Sequence, residues 1–236
     1  MAIVRLVARV DCAGEEGERG YWLPVPCSEK KNRGKQLQLT GTGFFVGDES
    51  GQYLVTAGHV VANTLPGGTY CPSRWHASPN SCPPLTTLNS APAWEYHPEA
   101  DIAVLRVVKM PNDGEGSPHR FMPIGQLSSS TKPPSRKVSL TAWGHSLDYE
   151  FPQSIPCHQA SGPNGFVSVK VLGRLCVVFL ANPMMPEGMS GGPVIDESDG
   201  TCLGLSSGAA RDNSFAAIAP ACYIRETIAT ASKTPA

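Results

Sequence analysis

The sequence predicts an all-β fold, a barrel or sandwich of short strands with a single helix near its end. Three observations carry this. Short apolar runs rich in β-branched and aromatic residues recur along the chain, each closed by Gly, Pro, Asn or Asp. Glycine (24) and proline (22) are abundant, as frequent turns require. Helical periodicity is missing except in CYIRETIATAS, residues 222–232.

The elements follow in order. MAIVRLVARVD opens the chain as a strand, because Arg5 and Arg9 interrupt the apolar core that a secretory leader needs. Read as a native start, this places the protein in the cytoplasm. Residues 15–36 form a polar, Gly- and Pro-containing loop. TGFFVG and QYLVTAG are the next two strands. Residues 64–93 are Pro-rich and longer than a plain hairpin needs, so they read as a decorated surface loop. DIAVLRVV is a buried strand. GQLSSSTKPPSRK, residues 125–137, has no apolar periodicity and reads as an exposed connector. It divides the chain into residues 1–125, a linker at 126–136, and residues 137–236. KVSLTAWG, GFVSVKVLG, RLCVVFLA and PVID are strands of the second part.

Composition excludes several classes. Only 17% of residues are charged and the formal net charge is -1, so a nucleic-acid partner is disfavoured. No apolar run reaches membrane-span length. The eight cysteines read as free thiols in the absence of a leader. Cys71, His76 and Cys82 lack the close pairs and fourth ligand of a zinc site, so the metal expectation is none.

The stretch PEGMSGGPV, residues 186–194, sets Ser190 among three glycines. Glycine is costly to order. Its density here marks either a very tight loop or a backbone cradle around a working hydroxyl. A serine nucleophile needs a base, a group to hold that base, and donors for the oxyanion that forms. Flanking glycines let the Gly188 and Ser190 N–H groups converge as those donors. All six histidines (59, 76, 97, 119, 145 and 158) precede Ser190. That excludes the nucleophile elbow of α/β-hydrolases, whose histidine follows the serine. His59 ends an apolar strand in YLVTAGHVVA; taken alone it reads as a packed strand-end histidine. Asp101 opens a buried strand, where a carboxylate needs a partner. His97 reads as solvated, and His145 and His158 stand in no context that assigns a role.

At this point the chain resembles the chymotrypsin-like (trypsin-like) serine peptidases. TAGHVV around His59, DIAVL from Asp101 and GMSGGPV around Ser190 carry the likeness, in that order. GTGFFV, TAWG and LGLSSGA add to it. The resemblance implies two six-stranded antiparallel β-barrels with a short C-terminal helix and the site between the barrels. It implies a serine endopeptidase in which Ser190 attacks, His59 is base and then acid, and Asp101 orients His59. Ser207 matches the family serine that bonds the aspartate. No metal or cofactor is implied, and the partner is a protein or peptide substrate.

The departures are informative. Met189 stands where zymogen-activated relatives carry an aspartate, so activation by N-terminal insertion is not expected. Val60 and Pro186 stand where those relatives place disulfide cysteines, which brings the chain closer to the HtrA-like branch. Met184 matches the floor of the primary pocket, Glu187 its rim, and Ser207, Gly208 and Ala209 its wall. These imply cleavage after small to medium apolar residues. The alternatives are a binding module on the same fold and a protease held inactive until a regulator protein acts.

Overall fold

A computed structural model describes residues 3–12, 35–49, 51–62, 64–70, 94–107, 121–135, 137–148, 151–160, 165–171, 174–209 and 214–233. Almost all of its regular structure is strand. The first sheet holds β1 (Ile3–Asp11), β2 (Gln36–Asp48), β3 (Gly51–Thr56), β4 (Thr64–Tyr70), β5 (Glu95–Tyr96), β6 (Ala103–Arg106) and β7 (Met122–Pro123). Its hydrogen-bonded path is β4-β1-β2-β3-β6-β5, with β7 added parallel to β2. The second holds β8 (Leu140–Gly144), β9 (Gln153–Gln159), β10 (Val167–Val171), β11 (Arg174–Asn182), β12 (Pro193–Asp196), β13 (Cys202–Ala209) and β14 (Ala216–Pro220). Its path is β10-β11-β14-β13-β12-β8-β9, and β9 also pairs with β11. Among the described residues each sheet thus has seven strands where the resemblance implies six.

Both sheets are antiparallel apart from β7. Residues 128–135 and 137–139 carry neither strand nor helix and are mostly exposed. The run Phe44–Phe45–Val46 in β2 is fully buried on both faces of the strand, which is why it reads as continuous rather than alternating. These side chains pack with Leu6, Leu54, Ile102 and Val104 in the first core. Leu140, Phe179, Met189, Val194 and Ile218 form the second.

Helix α1 (Gly58–Val61) is a single turn after β3, and α2 (Ala221–Ala231) follows β14. Ala221, Ile224, Ile228 and Ala231 are buried on one stripe of α2 and join the first core. The helix therefore crosses from the end of the second sheet onto the first. Its end is tied there by Ser232 Oγ, which donates to Ile228 O at 2.7 Å and meets Tyr53 Oη of β3 at 2.7 Å. Truncating fully buried Ile224 to alanine should cost about 2–5 kcal/mol.

Two expectations are corrected. Cys12 is disulfide-bonded, while Cys157, Cys176, Cys202 and Cys222 are free and buried. The free-thiol reading rested on the character of the first residues, which does not decide the redox environment. His97 is buried, not solvated, at 6% exposure. Helix α2 covers it: the ring lies 4.5 Å from that of Tyr223, and Nε2 lies 3.3 Å from Glu226 Oε2. The Glu99 N–H donates to Nδ1, so Nε2 carries the proton. The segment holding Cys71, His76 and Cys82 lies outside the described residues, as does His119.

Candidate active site

Strand pairing brings His59 and Asp101 together. Thr56 at the end of β3 faces Ala103 at the start of β6. His59 lies just past the first and Asp101 just before the second, so the two meet at the same edge. The Asp101 carboxylate is fully buried. Its Oδ1 accepts the His59 backbone N–H at 2.9 Å, and its Oδ2 lies 2.7 Å from His59 Nδ1. Oδ2 also accepts the Ser207 hydroxyl at 2.6 Å. A carboxylate only accepts, so His59 Nδ1 carries the proton and Nε2 keeps its lone pair. The His59 side chain is 14% exposed, enough for one ring edge to be reached.

Ser207 reaches Asp101 because of a β-bulge. In the β13–β14 ladder Ser206 faces Ile218 and Gly208 faces Ala217, leaving Ser207 as the extra residue. A bulge re-aims the side chain of that residue. Its hydroxyl thus turns to the first sheet, while its carbonyl oxygen accepts the Ser190 hydroxyl at 3.3 Å. Ser190 Oγ has no hydrogen bond to His59 among the described residues.

The loop around Ser190 is fixed peptide by peptide. Glu187 O accepts the Leu147 N–H at 3.1 Å, and Gly188 O accepts the Thr42 hydroxyl at 2.9 Å. Met189 O accepts the Gly192 N–H at 3.0 Å, and Ser190 O the Thr42 N–H at 2.8 Å. A trans peptide points its C=O and N–H in opposite directions. Fixing the carbonyls of residues 187 and 189 therefore aims the N–H groups of Gly188 and Ser190. Among the described residues neither N–H has a protein acceptor, while the Met189 N–H closes onto Pro186 O at 3.3 Å.

The glycines answer a steric demand. Gly188 and Gly191 both have φ near 92°, where other residues are strained. A Cβ at Gly188 would lie 2.6 Å from His145 O, and one at Gly191 would overlap Thr42 O. Met189 between them is fully buried in the second core.

The remaining site candidates are spread over two elements. Met184 is 44% exposed, and Glu187 is exposed on the loop before Gly188. Gly208 is half-buried on β13, and Ala209 ends that strand opposite Ala216. The Ser207 hydroxyl faces Asp101 instead of joining them. Among the described residues no group of three or more His, Cys, Asp or Glu side chains could hold a metal. Nor is any helix of the described residues long and apolar enough to cross a membrane. Sequence reasoning missed Thr42 and Leu147, which hold the serine loop, and the His145 N–H, which donates to the Thr42 hydroxyl. GTGFFV contains Thr42, but its strand pattern gave no hint of a partner in the other sheet.

The family model for the trypsin-like peptidase domain matches residues 41–205, a span that includes His59, Asp101 and Ser190. The chain belongs to the trypsin-like peptidase family. No curated protein sequence matches it. Solved structures resemble this trypsin-like peptidase domain closely enough to share its fold. The active form of the Rv3671c protease from M. tuberculosis has a TM-score of 0.60 and 19% identity, over 98% of this chain and 82% of that one. A scabies mite inactivated protease paralogue has 0.56 and 15%, over 96% and 92%. An HtrA-type protease with a decapeptide has 0.55 and 12%, over 96% of this chain and 61% of the other. At these identities the likeness concerns the fold, and a fold shared with an inactivated paralogue does not by itself carry activity.

Proposed function

We propose that this trypsin-like peptidase domain is a serine endopeptidase that cuts through an acyl-enzyme. The observation that carries the reading is the Asp101 carboxylate holding His59 Nδ1 at 2.7 Å, in the tautomer that leaves Nε2 basic. Ser190 Oγ attacks the scissile carbonyl carbon, and His59 Nε2 takes the hydroxyl proton. The same proton passes to the leaving amine as the C–N bond breaks. Water, deprotonated by His59, then cleaves the ester and restores the Ser190 hydroxyl. The Gly188 and Ser190 N–H groups receive the oxyanion; one such donor is worth about 10²–10³ in rate. In this reading residues 1–125 supply base and acid, residues 137–236 supply the nucleophile, and residues 126–136 join them.

Substrate preference follows the loop chemistry. Met184 is uncharged and accessible, Gly208 adds no bulk, and Glu187 disfavours acidic side chains. These support cleavage after small to medium apolar residues. Buried Met189 supports a loop that needs no N-terminal ammonium. The hydrogen bond from Ser190 Oγ to Ser207 O favours a second reading, a protease whose serine turns to His59 only when substrate or a regulator protein binds.

A fluorophosphonate probe and a proteome-derived peptide library test both. Labelling and cleavage by wild type, abolished in Ser190→Ala, support the enzyme. Labelling that requires an added partner supports the regulated form. Neither reaction under any condition leaves a binding module.

A further inference from the structure

We infer that Thr42 is a positioning residue that sets the oxyanion donors from the opposite sheet. The inference rests on the endopeptidase reading. Thr42 lies on β2 and is fully buried, and its hydroxyl and N–H reach into the other sheet's loops. Its hydroxyl donates to Gly188 O at 2.9 Å and accepts the His145 N–H at 2.8 Å. Its N–H donates to Ser190 O at 2.8 Å. Its carbonyl accepts the Thr56 hydroxyl at 2.7 Å, which fixes the backbone from which the other three bonds extend.

Two of the four consecutive carbonyls that fix the serine loop are therefore held by one residue of the other sheet. A hydroxyl is the group this position needs: one donor for Gly188 O and one acceptor for the His145 N–H, in a space the size of a methyl group. Valine has the shape and neither function. Without the hydroxyl, Gly188 O loses its partner, and the 188–189 peptide plane that carries it is free to rotate. The 187–188 plane, joined to it through the φ-positive Cα of Gly188, is then held only by the bond from the Leu147 N–H to Glu187 O, and the Gly188 N–H on that plane loses its fixed aim. Buried Met189 supports the loop from below, but an apolar contact does not set the rotation of a peptide plane. Thr42 acts through Gly188 and Ser190 and does not touch substrate.

The test compares wild type with Thr42→Val, Thr42→Ser and Thr227→Val. Thr227 is a buried helix threonine whose hydroxyl donates to Tyr223 O at 2.7 Å, and it serves as a measure of plain destabilisation. Thr42→Val should lower kcat about 10²-fold, the size of a lost oxyanion donor. KM should stay within about twofold, because only the transition state feels the loss. Affinity for a peptidyl boronate, whose tetrahedral adduct uses the same donors, should fall in step with kcat. Thr42→Ser should restore both. Amide exchange at Gly191 and Gly192, which donate to Ser206 O and Met189 O, should accelerate in Thr42→Val and not in Thr42→Ser or Thr227→Val. A folded Thr42→Val with wild-type kcat, boronate affinity and exchange overturns the inference. So does a loss matched by Thr227→Val. If wild type cleaves nothing and takes no fluorophosphonate, the endopeptidase reading fails, and the exchange data still decide whether Thr42 holds the loop.

Discussion

The Ser207 hydroxyl and the Asp101 carboxylate meet at 2.6 Å, one from each sheet. The buried Asp101 carboxylate accepts hydrogen bonds from the His59 N–H groups and the Ser207 hydroxyl. Losing a hydrogen bond to a buried charge costs about 1.5–3 kcal/mol. Ser207→Ala should therefore lower kcat by roughly tenfold or more and reduce stability, read by peptide hydrolysis and urea unfolding. Wild-type values of both would show that the contact contributes nothing.

Asp101→Asn probes the tautomer. A carboxamide can turn its NH₂ to His59 Nδ1, which then becomes the acceptor and moves the ring proton to Nε2. The base is lost while the geometry stays. The expected fall in kcat is about 10⁴-fold, the size of the effect in related triads. The circular dichroism spectrum should not change. A drop of only a few-fold would mean that Asp101 does not set the proton position.

Much of this was legible beforehand, for physical reasons that differ by residue. PVID and TAWG are short buried strands whose β-branched and aromatic residues declare them, and both form as read. Strand β9, QSIPCHQ, did not declare itself: it alternates exposed and half-buried residues and contains Pro156. β4 lies inside the stretch read as a loop, because TLPGGTY has breakers that only pairing with β1 overrides. Ser190, His59 and Asp101 could be named because each chemistry needs its residue type. The Thr42 contacts and the burial of His97 could not, because both arise from segments far apart in sequence that pack only in the fold.

Met189 tests how the serine loop is held. Its side chain lies at 0% exposure among Leu140, Phe179 and Val194. Met189→Leu conserves volume and should change stability by less than about 1.5 kcal/mol. Met189→Asp puts an unpaired carboxylate in that core and should destabilise by about 3 kcal/mol or more. Urea unfolding measures both. Activity in the leucine variant, with no cleavage of its N-terminus, would fit a loop held by apolar packing. Near-neutral stability of the aspartate variant would reveal a cation waiting for it.

The buried thiols set the response to alkali. Burial pushes Cys176 and Cys202 up to about 12, with the Asp101 charge adding to the effect at Cys176. Burial likewise raises Cys157 to about 11. In the unfolded chain each ionises near 8.5. Between the two values the folded state holds more protons than the unfolded one, so stability falls as pH rises. The contribution is intact below about pH 8 and is lost progressively toward pH 12. Urea midpoints should decline over that range, and Cys202→Ala should flatten the decline even though it leaves a small cavity. A pH-independent midpoint between 8 and 11 would show that these thiols are not neutral and buried in the folded state. The same burial predicts that a thiol reagent at pH 8 modifies Cys176 and Cys202 only as fast as the protein opens, so that labelling of both accelerates together in moderate urea.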